Sequence, residues 1–351
     1  MKKNKKLNIA IIGLGNIGTY LYKYLSTNQK ILFKKNNCLP NITFVSAKNK
    51  NKKRGIKISK KKWLNNFLDA TKSKNVDVIV ELIGGAEGAA KKLVFNALKN
   101  KKHVVTANKA LIAKYGDQLS KIAEQNKVNL EFEAAVCGGV PIIRSLKESF
   151  IANKINKVYG IFNGTSNYIL SSMDKENKNF KDVLLNAQKL GFAESNPISD
   201  LNGDDVAAKL KILSSLCFNS FIDDKIHVEG IKHIDKVDID NANKLGYKIK
   251  LLGVSEIIEN KVYQRVHPSL IKKSSYIASI DGVLNAVIVN GTPIGESIIQ
   301  GEGAGPKATT SALISDISSI LRGNIKFPFS ISNKERKKLN YKSIDDRYFS
   351  A

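Results

Sequence analysis

No aspartate or glutamate precedes Asp69 in this 351-residue chain, although its first stretch is crowded with lysine and asparagine. Acids are scarce throughout, 31 against 57 lysines and arginines, for a formal net charge of +26. The cysteines, Cys38, Cys137 and Cys217, are three and widely spaced, which fits neither a disulfide framework nor a zinc site and suggests a reducing cytoplasm. The four histidines form no cluster with them, so a catalytic metal is not expected. Proline is also rare, at 7 residues, and with 42% hydrophobic content this argues against a disordered or fibrous protein. No apolar run approaches the roughly 18 residues of a membrane span. The opening "MKKNKKLNIAIIGLGNIG" has the lysines and apolar run of a signal peptide. That run is short, ends in glycines and has no small-residue cleavage site after it, so it reads as a first β-strand.

The excess of lysine asks whether nucleic acid is a partner. The lysines travel with asparagines along surface-like stretches, and neither zinc-finger spacing nor an aromatic RNA-binding signature accompanies them. A solvated basic surface is the expectation, with no nucleic acid and no membrane as partner. A basic dinucleotide-type domain that binds nucleic acid without catalysis is the rival. The densest run, "KNKNKKRGIKISKKKW" (48–63), matters for its position.

Up to about residue 136, apolar β-like runs alternate with helical patterns: Leu7–Ile12, 41–47, 76–85, 102–109 and 128–136 as strands, with helices between. Regular alternation predicts βαβ units on a parallel sheet, a Rossmann-type doubly wound domain over 1–136, with a return segment at 301–325. Residues 137–300 read as a second, α+β domain, helix-like over most of 181–256 with strands near 261–270 and 282–291. Residues 326–351 read as a polar tail. The expected class is α/β with this second α+β domain.

"GLGNIG" (Gly13, Gly15, Asn16, Ile17, Gly18) sits between a strand and a helix at the head of a βαβ run, which predicts a dinucleotide on its backbone. An NAD site expects an acid about 20 residues on, at the end of the second strand, for the ribose 2′-hydroxyl. Here that strand runs into "SAKNKNKKRG", with Ser46, Lys48 and Arg54, a surface that suits a 2′-phosphate. NADP is the preferred cofactor, with NAD the alternative.

The segment "GFAESNPISDLNGDDVAAK" gathers Glu194, Asp200, Asp204, Asp205 and Lys209. Its Asn-Pro and Asn-Gly dipeptides predict a loop over 194–203, with a helix beginning near Asp204. Asp205 and Lys209, four apart, share one face of that helix, as a simple surface ion pair would.

This segment, from "AQKLG" to Lys209, resembles the signature of homoserine dehydrogenases. "VVTANKALIAKYG", "EFEAAVCGGVPIIRSL", "GIFNGTSNYIL", "LGYKIKLLG", "RVHP" and "GEGAGPKATTSALISDI" continue the likeness in order over 7–325. The resemblance implies reversible interconversion of L-aspartate 4-semialdehyde and L-homoserine with a nicotinamide cofactor. It implies Lys209 and Lys109 as catalytic lysines, Lys209 the proton donor in reduction, with Asp205 orienting it. Glu194, Asp200, Gly164 and Thr165 would take the substrate, the two acids as a clamp for its ammonium. Gly84, Lys109 and Gly305 would join the cofactor site. Sodium would bind at Glu133 with the carbonyls of Val136, Gly138 and Val140, although the same glutamate could cap the next helix. A homodimer is implied, and "SIDDRYFSA" looks like the start of the regulatory domain many members carry.

Overall fold

The computed structural model describes residues 5–323 and 325–342. Two compact units divide the chain, one over Met1–Gly139 and Gly305–Arg336, the other over Val140–Ala304 and Lys337–Ala351.

The first unit is a five-stranded parallel sheet in the order β2-β1-β3-β4-β5. Its strands are β1 (Lys6–Ile12), β2 (Leu39–Ser46), β3 (Val78–Glu81), β4 (His103–Thr106) and β5 (Leu130–Glu131). Ile9–Ile12 and Val78–Glu81 are buried without interruption, the pattern of a parallel strand covered on both faces. Gly18, Leu21, Tyr22 and Leu25 form the buried stripe of the helix Asn16–Thr27, at i, i+3, i+4 and i+7. That stripe joins Ile9, Ile11 and Val80 and the inner face of the helix Pro306–Leu321 in one core. Because β2 and β3 flank β1, the crossovers leave in opposite directions after β1, and a crevice opens at the carboxyl ends of β1 and β3. The expected strand over 128–136 is short: it ends at Glu131 and gives way to a 3₁₀ turn, Glu133–Ala135.

In the second unit the sheet order is β11-β10-β6-β8-β9-β12, with β7 (His227–Val228) also paired to β9. The strands are β6 (Lys154–Ile161), β8 (Tyr247–Ile258), β9 (Lys261–Lys272), β10 (Leu284–Thr292), β11 (Gly295–Glu302) and β12 (Asn340–Lys342). β8 and β9 pair antiparallel along their whole length, and Glu259 (φ 48°) and Asn260 (φ 62°) make the two-residue turn between them. Tyr247–Ile258 therefore corrects the helical expectation at the end of 181–256; its run of apolar residues suits a strand buried on both faces, and six consecutive residues from Lys250 to Ser255 are buried. Helix Asp204–Cys217 lies against β6 and β8, burying Val206, Leu210, Leu213 and Cys217.

The stretch after 325 is not a simple tail. Arg336, its side chain fully enclosed, pairs with Asp117 at 2.6 Å and lies over the Phe329 ring in the first unit. Lys337 to Lys342 join the second, where Tyr341 Oη meets Ser220 Oγ at 2.9 Å. A few buried anchors hold a stretch whose average polarity suggested none. The expected regulatory extension from 343 on lies outside the described residues. Among the described residues no helix is long and apolar enough to cross a membrane, and no group of three or more His, Cys, Asp or Glu could hold a metal.

Candidate active site

In the first unit the chain leaves β1 at Ile12 and turns through Gly13 (φ 109°), where a Cβ would lie 2.3 Å from the Leu82 carbonyl oxygen. At Gly18 a Cβ would lie 2.0 Å from the Gly13 oxygen, so both positions exclude a side chain. Gly15 differs: a Cβ there would meet nothing within 4 Å. Gly15 also caps the helix Asn16–Thr27 with no side-chain hydrogen bond, so no capping side chain occupies the first-turn N–H groups. A pocket of about 400 Å³ lies there, lined by Gly15, Asn16, Thr19, Lys52, Lys53 and Arg54. Open backbone, an uncapped helix start and cations fit a dinucleotide's phosphates.

Arg54 is less available than its charge suggests. Its Nε donates to the Leu14 carbonyl at 2.9 Å, Nη1 to Lys52 at 2.7 Å and Lys50 at 3.3 Å, and Nη2 to Asn49 at 2.5 Å. It staples the 49–54 turn to the glycine loop and lies over Trp63. Lys48 is exposed just beyond β2, and no acid follows Ser46 there.

A buried carboxylate that the sequence reading missed shapes the neighbouring loop. Glu81, fully enclosed at the end of β3, accepts from the N–H groups of Ile83 (2.7 Å) and Gly84 (3.0 Å) and from Thr106 Oγ1 (2.6 Å). Thr106 Oγ1 in turn accepts from the Asn108 N–H, and Asn108 Nδ2 donates to the Gly85 carbonyl at 2.7 Å. Asn108 Oδ1 then caps the helix Lys109–Gln125 through the Leu111 N–H. Gly84 and Lys109, both expected at the cofactor, thus hang on one network. The available signal was a lone glutamate at the end of the apolar run "VIVELIGG". Gly305 (φ 101°) caps the helix Pro306–Leu321, likewise without a side-chain bond.

The second unit holds the acidic segment. Residues Ile198–Asn202 are a short helix, correcting the loop expected over 194–203; Pro197 sits where a helix start tolerates it. Asp200 falls in its first turn and Asp205 in the first turn of Asp204–Cys217. Lys209 Nζ donates to Asp205 Oδ2 at 2.7 Å and to the Phe162 carbonyl at 2.6 Å, with Asp205 5% and Lys209 8% exposed. The i,i+4 spacing is met, but the pair is buried rather than superficial. Phe162 lies just past β6, so its carbonyl is available to side chains, and Asn285 Nδ2 shares it at 2.9 Å. Asp200 joins Asp205 through the Asn163 amide. Burial first, and the Asp205 charge second, push the Asp200 carboxyl above its ordinary range, against hydrogen bonds from Asn163 and Thr165 and the Lys209 charge. Thr165 Oγ1 also donates to the Phe192 carbonyl at 2.7 Å, and Gly164 starts the helix Gly164–Glu176. Glu194 stands on an exposed stretch, where its main-chain carbonyl accepts from Gln188 Nε2 at 3.1 Å.

Family models match on both sides: "Homoserine dehydrogenase, NAD binding domain" over residues 13–133 and "Homoserine dehydrogenase" over 141–318. The chain belongs to the homoserine dehydrogenase family. It is 42% identical over 319 residues to the homoserine dehydrogenase of Neisseria gonorrhoeae, covering 91% of this chain and 73% of that one. Against the Bacillus subtilis enzyme the identity is 38%, with the same shares covered. Among solved structures, a homoserine dehydrogenase from Thiobacillus denitrificans aligns with a TM-score of 0.92 at 36% identity, covering 97% of this chain and 80% of that chain. The S. aureus enzyme at pH 6.5 gives 0.79 at 39%, with 90% and 76% covered. The protein is thus an oxidoreductase acting on a CH–OH group, which interconverts L-aspartate 4-semialdehyde and L-homoserine with a nicotinamide cofactor in threonine and methionine biosynthesis.

Proposed function

We propose that Lys209 and Asp205 carry the proton transfer of this homoserine dehydrogenase reaction, while Asp200, Glu194, Gly164 and Thr165 receive the substrate. The observation behind this is the buried Lys209–Asp205 contact at 2.7 Å beside a second carboxylate, Asp200. A nicotinamide cofactor, when bound, would supply hydride chemistry between the aldehyde and alcohol carbon. In reduction the carbonyl oxygen gains negative charge, and the Lys209 ammonium gives it one proton to leave a neutral alcohol. In oxidation, neutral Lys209 takes that proton back. Asp205 favours the ammonium and keeps Nζ aimed, and Asp200 and Glu194 offer carboxylates to the substrate ammonium. Lys109 is proposed as a second catalytic cation.

NADP is the proposed preferred cofactor. The first-turn N–H groups of Asn16, Ile17 and Gly18 would take the pyrophosphate, Lys48 the 2′-phosphate, and Arg54 would hold the loop and add positive charge. Gly84, Lys109 and Gly305 would complete the site. A sodium ion is proposed at Glu133, buried and followed by the left-handed residues Cys137 (φ 52°) and Gly138 (φ 35°), with the carbonyls of Val136, Gly138 and Val140 as further ligands. Units 1–136 with 301–325 and 137–300, as nucleotide and substrate domains, a homodimer, a cytoplasmic place and no nucleic-acid partner complete the proposal.

Initial rates of L-homoserine oxidation with NADP and with NAD test the cofactor assignment. Faster turnover per mole of NADP supports the roles of Lys48 and Arg54; turnover with NAD alone removes them.

A further inference from the structure

Asn163 belongs to no role assigned above, yet its amide touches both Asp200 and Asp205. Its Nδ2 donates to Asp200 Oδ1 at 2.8 Å and to Asp205 Oδ2 at 2.8 Å, while its Oδ1 accepts from the Ser166 N–H at 2.7 Å and caps the helix Gly164–Glu176. Asp205 Oδ2 is the same oxygen that receives Lys209 Nζ. The two carboxylate oxygens, each 2.8 Å from the same nitrogen, lie no more than twice that distance apart. Two anions so close in a buried place repel one another unless a donor stands between them.

A primary amide meets this need better than any other side chain. It offers two N–H groups from one nitrogen, one for each carboxylate, and an oxygen for the helix start. The reversed amide would set its oxygen against both acids, so the network fixes the orientation. Asn163 is 5% exposed and follows Phe162, whose carbonyl accepts from Lys209. Two consecutive residues at the end of β6 therefore fix the lysine and both acids.

We propose that Asn163 is a positioning residue for the reaction, whose amide spaces Asp200 and Asp205 so that one carboxylate stays with the substrate and the other with Lys209. The inference rests on the reading that Lys209 and Asp205 transfer the proton and that Asp200 binds substrate.

The test is Asn163→Asp, which keeps the size and the helix-capping oxygen but loses both donors and adds a third carboxylate, measured beside Asn163→Ser and Lys209→Ala. Asn163→Asp is expected to raise KM for L-homoserine and to lower kcat per folded molecule, each by about tenfold or more, with NADP affinity near that of the parent and a lowered melting temperature. A residue that merely caps the helix predicts kcat and KM within about threefold of the parent, and that result overturns the proposal. Should Asn163→Asp fail to fold, Asn163→Ser decides by the same readout, since serine also caps a helix but cannot bridge two acids. If Lys209→Ala is inactive while the Asn163 variants are unchanged, only this inference fails. If Lys209→Ala turns over normally, the underlying reading fails and takes the inference with it.

Discussion

Lys209 and Lys250 are both buried in the second unit, and each is paired with an aspartate. Lys250, 1% exposed in β8, donates to Asn167 Oδ1 at 3.1 Å, the Ile280 carbonyl at 2.7 Å and Asp281 Oδ1 at 2.7 Å. Each ammonium hydrogen thus has an acceptor, one on the helix Gly164–Glu176 and two on the consecutive residues Ile280 and Asp281. Asp281 is held in turn by Lys175 at 2.9 Å and Lys248 at 3.7 Å. Lys209 meets Asp205 and the Phe162 carbonyl, but its aspartate is tied through Asn163 to a second carboxylate whose proton affinity is raised. Burial and an ion pair do not by themselves mark a lysine that moves protons. Lys250 is a three-way rivet, whereas Lys209 sits among the groups proposed to exchange a proton.

The sharpest way to break this comparison is to remove each ammonium in turn. Lys209→Ala should lower kcat by about 10³-fold, within the range for loss of a general acid or base, and leave NADP binding almost unmoved, while the stranded Asp205 carboxylate lowers stability as well. Lys250→Met should spare turnover. It leaves a carboxylate, a carbonyl and an amide oxygen short of a buried donor, and should cost about 3 kcal/mol in urea unfolding while activity per folded molecule persists.

The two aspartates sharpen the comparison through the sign of their pH dependence. Burial alone would raise the Asp281 carboxyl, but hydrogen bonds from Lys250 and Lys175 outweigh it and hold it below its ordinary value. Its contribution to stability is therefore present above the unfolded carboxylate value and is lost as pH falls through the depressed one. Asp200 is raised, so its contribution is present below the unfolded value and is lost as pH rises through the raised one. Asp281→Asn should lower stability at neutral pH and flatten its acid limb. Asp200→Asn should leave neutral-pH stability equal or higher while weakening homoserine binding. Equilibrium unfolding across pH 3–8 reads both, and a loss of stability in Asp200→Asn at pH 7 would contradict the account.

Much of the fold was legible because it rests on periodicity. The alternating strands of the first unit, "GLGNIG" between strand and helix, and the helix from Asp204 follow from local pattern. Tyr247–Ile258 was not, because a strand buried on both faces loses the alternation that separates it from a buried helix. The site residues were legible as types and spacings, not as partners. Nothing local says that Arg54 spends its donors on four carbonyls, that Glu81 folds a loop, or that Asn163 lies between two acids. Each also draws on a distant segment that the fold brings in: Leu14 for Arg54, Thr106 for Glu81, and Asp200 and Asp205 for Asn163.

The central claim is that Lys209 supplies a proton and not merely a charge, and Lys209→Arg separates the two. A guanidinium keeps the charge and can reach a carboxylate, but it does not give up its proton in a protein. The measurement is the single-turnover rate of L-homoserine oxidation by this variant at saturating NADP. A rate as low as that of Lys209→Ala, with NADP bound normally, is the predicted result. A rate within about tenfold of the parent enzyme would contradict it and reduce Lys209 to an electrostatic role.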